Sequence, residues 1–101
     1  MDIVFGNNEI RKKCNKASGK LRQRLDDIHA AANLGVLRSL PGRYHQLRAD
    51  RSGEWACDLE QPYRLVFRPF ADPLPISKDG LLDTTQVFAV VVLEVVNYHE
   101  R

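Results

Sequence analysis

The sequence predicts an α+β domain: a small antiparallel-dominated sheet with an N-terminal helical hairpin packed on one face. Three observations carry that expectation. The run "VFAVVVLEVVNYH" near the C-terminus is long, apolar and rich in valine, the pattern of a strand buried on both faces in the centre of a sheet. Three shorter β-type runs, divided by turn residues, come before it. Upstream, Leu21, Leu25, Ile28 and Ala32 recur at helical spacing, so that segment packs one apolar face.

In chain order, "MDIVF" is β-prone and partly alternating and opens the chain as a strand. "GNN" interrupts it, and Asn7 or Asn8 can cap a first helix over Glu9–Lys16. Ser18 and Gly19 break that helix and offer the cap of a second, Lys20–Ala32, which Asn33 and Gly35 end. "LRSLPGR" reads as a connector, with Pro41-Gly42 as its turn signal. The β-runs fall at Tyr44–Arg48, Glu54–Leu59 and Tyr63–Arg68, joined by "ADRSG" and "EQP" as hairpin turns. Gly53 supplies positive φ in the first turn. Trp55 alternates with Cys57 and Leu59, so it faces the core rather than offering a platform for bases, and Tyr63 packs with them or at the edge. "PFADPLPISKDGLLDTT" holds three prolines, alternates poorly and reads as a long surface loop.

Composition narrows the function classes. A chain of 101 residues that is 44% hydrophobic makes one domain, residues 1–101, with a modest core. No apolar run is long enough to span a membrane, and the N-terminus lacks a signal-peptide pattern, so a cytoplasmic protein is expected. Cys14 and Cys57 stand in unrelated contexts, which argues against a disulfide framework or a zinc site. The net charge of +2 hides an uneven distribution. Residues 1–37 hold seven Lys or Arg against four Asp or Glu, whereas residues 69–101 hold two against five. A folded chain can therefore present a basic face that attracts phosphate.

Of the three histidines, His29 falls on a helix surface, His45 begins the first hairpin strand and His99 ends the last. Asn97, Tyr98 and His99 form a polar cluster that closes a very apolar strand, where packing does not require it. If the hairpin and the last strand are close in the sheet, His45, Arg48, Arg64, Tyr98 and His99 line one concave surface. That set lacks a Ser or Cys nucleophile with a base, paired carboxylates and metal-ligand spacing; no metal or other cofactor is expected. It does supply acid–base groups among cations. This combination suits metal-independent RNA cleavage, in which a base takes the 2′-hydroxyl proton, an acid protonates the leaving 5′-oxygen and arginines stabilise the phosphorane. Histidine, with an ordinary pKa near 6.5, serves either role.

"HQLRADRSGEWACDLEQPYRLVFRP", taken with the terminal "LEVVNYHE", resembles the HigB-type toxins of the RelE/ParE superfamily of bacterial toxin–antitoxin modules. The resemblance covers about residues 36–101, and its motifs are specific in combination. It implies a RelE-like, microbial-ribonuclease-like fold, a ribosome-dependent mRNA endonuclease that inhibits translation, and a helix-turn-helix, HigA-like antitoxin as partner. Carried onto this chain, it implies catalytic roles for His45, Arg64, Asn97, Tyr98 and His99. Asn97 stands where the family usually has Asp, Arg48 where lysine is common, and Ala49 where Gly is usual. Arg38, Arg43, Arg48 and Arg51, with Lys20, Arg22 and Arg24 of the helical hairpin, would then dock on ribosomal RNA and phosphate. Two other outcomes fit the same superfamily: a non-catalytic ParE-like inhibitor of gyrase, and a degenerate toxin that only binds its antitoxin.

Overall fold

The chain runs β1 (Asp2–Phe5), α1 (Asn8–Asn15), α2 (Gly19–Ala30), α3 (Leu34–Arg38), β2 (His45–Gln46), β3 (Trp55–Asp58), β4 (Tyr63–Pro69) and β5 (Ala89–Asn97) in a computed structural model that describes residues 1–98. The strand order is β1-β5-β4-β3-β2. β1 lies parallel to β5 and the other pairings are antiparallel, so the sheet is mixed but antiparallel-dominated. The helices cover one face. There Trp55, Cys57, Leu65, Phe67, Val90 and Val92 of the sheet meet Ile10, Cys14, Leu25, Ile28, Leu34 and Leu37 of the helices in one core.

Local chemistry explains most boundaries. Asn7 caps α1, its Oδ1 accepting from the Ile10 amide at 2.9 Å, as the sequence suggests. Gly19 opens α2 at φ +60, and an added Cβ there would come within 2.8 Å of Glu60 Oε2. That carboxylate accepts from the Lys20 amide at 2.9 Å, which ties the start of α2 to the β3–β4 turn. The same amide holds the Glu60 carboxyl below its usual range.

α2 ends at Ala30, two residues short of the expected stop, and it is Ala31, not Ala32, that is buried. The Met1 nitrogen donates to the carbonyls of Ile28, His29 and Ala31 at 3.0, 2.7 and 2.6 Å. β1 thus occupies the end of the helix and satisfies carbonyls that another turn would have used.

Two further expectations are corrected, and the two places open to Tyr63 are narrowed to the outer one. Asn33 and Gly35 do not mark an end: Asn33 caps α3, its Oδ1 accepting from the Val36 amide at 2.9 Å. Leu34 and Leu37, one turn apart, are fully buried and hold this short helix in place. Gly35 suits it, because a Cβ would lie 3.1 Å from Thr84 Oγ1. The first β-run contracts to His45–Gln46, and "ADRSG" contains a 3₁₀ turn over Ala49–Arg51, with Gly53 at φ +90 as expected. Tyr63 is 46% exposed rather than core, at the solvent end of β4.

β5 lies inside the sheet but is not its middle strand, which is β4. Only its first half is buried on both faces, at Val90–Val92; Glu94 is exposed. Phe67 pairs with Val92 whereas Val66 pairs with Glu94, so Leu93 is an extra residue, a β-bulge. The expected surface loop is present between β4 and β5, pinned by one bridge between Ile76 and Leu82 and by a 3₁₀ turn over Thr84–Gln86. Among the described residues no helix is long and apolar enough to cross a membrane.

Candidate functional site

The site is built on the sheet face that the helices leave open. Side chains alternate along a strand, so the partners of core-facing residues point the other way. One row across that open face is His45–Ala56–Val66–Glu94, and the next is Asp58–Arg64–Val96. Tyr98 follows two residues after Val96, and its amide donates to Pro62 O at 2.9 Å, which brings it over the β3–β4 turn.

The segment between β2 and β3 lies across this face as a strap. Arg51 anchors it: Nε donates to Glu54 Oε1 at 2.7 Å and Nη2 to Glu94 Oε2 at 3.0 Å. These carboxylates, Glu94 foremost, raise the Arg51 pKa above its ordinary value. Leu47 and Arg51 roof a small pocket floored by Ala56, Val66 and Val96, which explains why Ala56 and Val66 are buried on an otherwise open face. Beside it lies a cleft of about 670 Å³, lined by Leu47, Arg48, Ala49, Asp50, Arg51, Val96, Asn97 and Tyr98.

Arg64 sits at the junction. Its guanidinium carbon lies 3.5 Å from the centroid of the Tyr98 ring, and its Nε lies 3.4 Å from Asp58 Oδ1. Cation–π stacking fixes the plane of the guanidinium, and the carboxylate fixes its rotation within that plane. Asp58 also faces Arg43, with Oδ2 3.5 Å from Nη1. Arg48 is exposed and makes no ion pair among the described residues, so of the cations that line the cleft it is the one most available to an incoming phosphate.

The expected concave surface therefore forms only in part. Arg48, Arg51, Arg64, Asn97 and Tyr98 do come together around the cleft and its neighbouring pocket. His45 shares their face but stands on the edge strand β2 and does not line the cleft. Three strand spacings separate it from β5, or about 14 Å. Its Nδ1 lies 2.6 Å from Arg43 O; a carbonyl only accepts, so Nδ1 carries the proton and Nε2 the lone pair in the neutral ring. His99 lies outside the described residues.

The other basic candidates belong to the helical layer. Arg38 stacks over Trp55 at 5.6 Å, and Trp55 faces the core as expected. Lys20 and Arg22 are exposed on α2, and Arg22 is engaged with Asp26 at 3.1 Å. Arg24 is corrected outright. It is 6% exposed, and it donates through Nε to Asp58 O at 2.7 Å and through Nη1 to Pro41 O at 3.4 Å. Its guanidinium joins α2 to the sheet and is not available to RNA.

Asp58 is the site residue that sequence reading missed. Its signal was in the alternation of "WACDL", which turns Asp58 away from the core, but its partner depends on the register of the β3–β4 hairpin. Among the described residues no group of His, Cys, Asp and Glu could hold a metal ion. Neither a family model nor a curated protein matches this chain.

Proposed function

We propose that the chain is the toxin of a bacterial type II toxin–antitoxin module, a RelE-like enzyme that cuts mRNA on the ribosome in the cytoplasm. One observation carries the reading: Arg64, stacked on Tyr98, lines with Arg51 the pocket that adjoins the cleft of Arg48, Arg51 and Tyr98. This is the strand end where the HigB resemblance puts the reacting groups. A phosphodiester seated against Arg48 and Arg64 has its developing phosphorane charge met by two cations, of which Arg64 is held in place by Tyr98 and Asp58. A base removes the 2′-hydroxyl proton and that oxygen attacks phosphorus. The 5′-oxygen leaves with a proton from the acid, giving a 2′,3′-cyclic phosphate and a 5′-hydroxyl. Tyr98 and His99, next after β5 in the chain, supply the acid and base roles, and Asn97 contributes hydrogen bonds; His45, on the edge strand outside the cleft, meets the RNA away from the reacting phosphate. The partners are a HigA-like helix-turn-helix antitoxin, the ribosome and mRNA.

A degenerate toxin that only binds its antitoxin is the second reading, and it too has support. Arg43, Arg51 and Arg64 all face carboxylates, which weakens their pull on phosphate, and Asn97 stands where the resemblance implies Asp. Induced expression in a bacterium decides between them. Growth arrest with discrete mRNA ends in primer extension, both lost in Arg64→Ala, is the expected result. Arrest with intact mRNA and a DNA-damage response would point to a gyrase inhibitor, and unimpaired growth to the degenerate toxin.

A further inference from the structure

We infer that Asp58 is a positioning residue that sets Arg64 for the RNA cleavage proposed above, on which this inference rests, and that through Arg43 it also orients His45 at the edge of the same face. Asp58 is held from every side. Its amide donates to Gly42 O at 2.8 Å, and its carbonyl accepts from the buried Arg24 at 2.7 Å. β3 pairs it directly with Arg64 on β4. The carboxylate is therefore a fixed reference point, and it divides its two oxygens between two arginines: Oδ1 toward Arg64 Nε at 3.4 Å and Oδ2 toward Arg43 Nη1 at 3.5 Å.

Each arginine leads to a further side chain of the open face. Arg64 stacks on Tyr98 while its Nε lies toward Asp58, so the ring and the carboxylate together hold one guanidinium. The side chains of Asp58 and Arg64 are only 20% and 14% exposed, so water screens this pair weakly. Arg43 holds a left-handed backbone, φ +55, which is strained for a residue with a side chain. Its carbonyl, aimed by that conformation, is the acceptor for His45 Nδ1. One carboxylate thus connects the two ends of the open face that the strand order separates, through the series His45, Arg43, Asp58, Arg64, Tyr98.

The role has a kinetic signature that a purely structural residue lacks. Asp58→Asn keeps the shape and removes the charge, so two arginines become free to attract phosphate while losing their orientation. On ribosome-bound mRNA, kcat should fall by about tenfold or more. KM should stay level or drop, and Asp58→Glu should restore part of kcat. Unchanged kcat in a folded Asp58→Asn protein would overturn the inference, as would a rise in KM alone. Side-chain ¹⁵N NMR of Arg64 Nε and the His45 ring reads the positioning without any RNA. Both sets of signals should shift in Asp58→Asn, and signals identical to those of the unsubstituted protein would also overturn the inference. An unsubstituted protein that cleaves nothing would sink the proposed activity, while the NMR comparison still decides whether Asp58 positions these groups.

Discussion

The two faces of this sheet treat arginine in opposite ways. On the helix-covered face Arg24 is buried, and its guanidinium is satisfied by the backbone carbonyls of Asp58 and Pro41. On the open face Arg43, Arg51 and Arg64 are held by carboxylates near water, and among the described residues Arg48 and Arg68 are held by none. A carbonyl-bound arginine in the interior acts as a brace, because removing it strands polar groups away from solvent. A carboxylate-bound arginine well exposed to water, as Arg43 is, can exchange its partner for a phosphate at little cost, whereas the shielded Arg64–Asp58 pair stays in place to present its cation. The same residue type therefore means stability on one face and recognition on the other.

Substitutions at each face break or sharpen that contrast. The largest effect should come from the packed side: Phe67→Ala, which empties a fully buried site, should cost about 3–5 kcal/mol in chemical denaturation. Arg24→Ala comes next, at about 2–3 kcal/mol, from lost charge-assisted hydrogen bonds and the packing of its stem. Arg48→Ala, on the open face, should change stability by no more than about 0.5 kcal/mol while reducing RNA retention at low salt. Equal stability losses in the two arginine variants would erase the distinction.

A smaller, pH-linked effect also belongs to the packed face. Burial pushes the Cys57 thiol up to about 12 from its ordinary 9.0. Because the folded form holds its proton more tightly, this contribution is fully present below pH 9 and is lost as pH rises toward 12. Folded protein at pH 8 should accordingly leave Cys57 unlabelled by a thiol reagent that reacts once denaturant is added.

The packed face was the more legible of the two in the sequence. Leu21, Leu25 and Ile28 declared α2 by spacing, and Trp55, Cys57 and Leu59 declared the core side of β3 by alternation. The same helical spacing carried a signal that was not used: Arg24 comes three residues after Leu21 and four before Ile28, on the apolar stripe. α3 was hidden because Gly35 and Asn33 look like a stop, and only tertiary burial of Leu34 and Leu37 overrides that preference. The open face was legible residue by residue but not in its arrangement. Arg64 and Tyr98 were named, yet nothing local to the chain says that two strands lie between β5 and β2, and this order sets His45 apart from the cleft. Asp58 needed a cross-strand register, which belongs to the hairpin as a whole.

Leu93 has a consequence well beyond its own position. Before it, Val91 points to the open face and Val92 to the core; after it, Glu94, Val96 and Tyr98 take the open face. In an unbroken alternation Leu93, Val95 and Asn97 would stand there instead, and Glu94 and Tyr98 would turn toward the helices. The latch for Arg51 and the ring beneath Arg64 thus both depend on a half-period phase shift of one residue. Length, as much as side-chain chemistry, is what this strand contributes to the site.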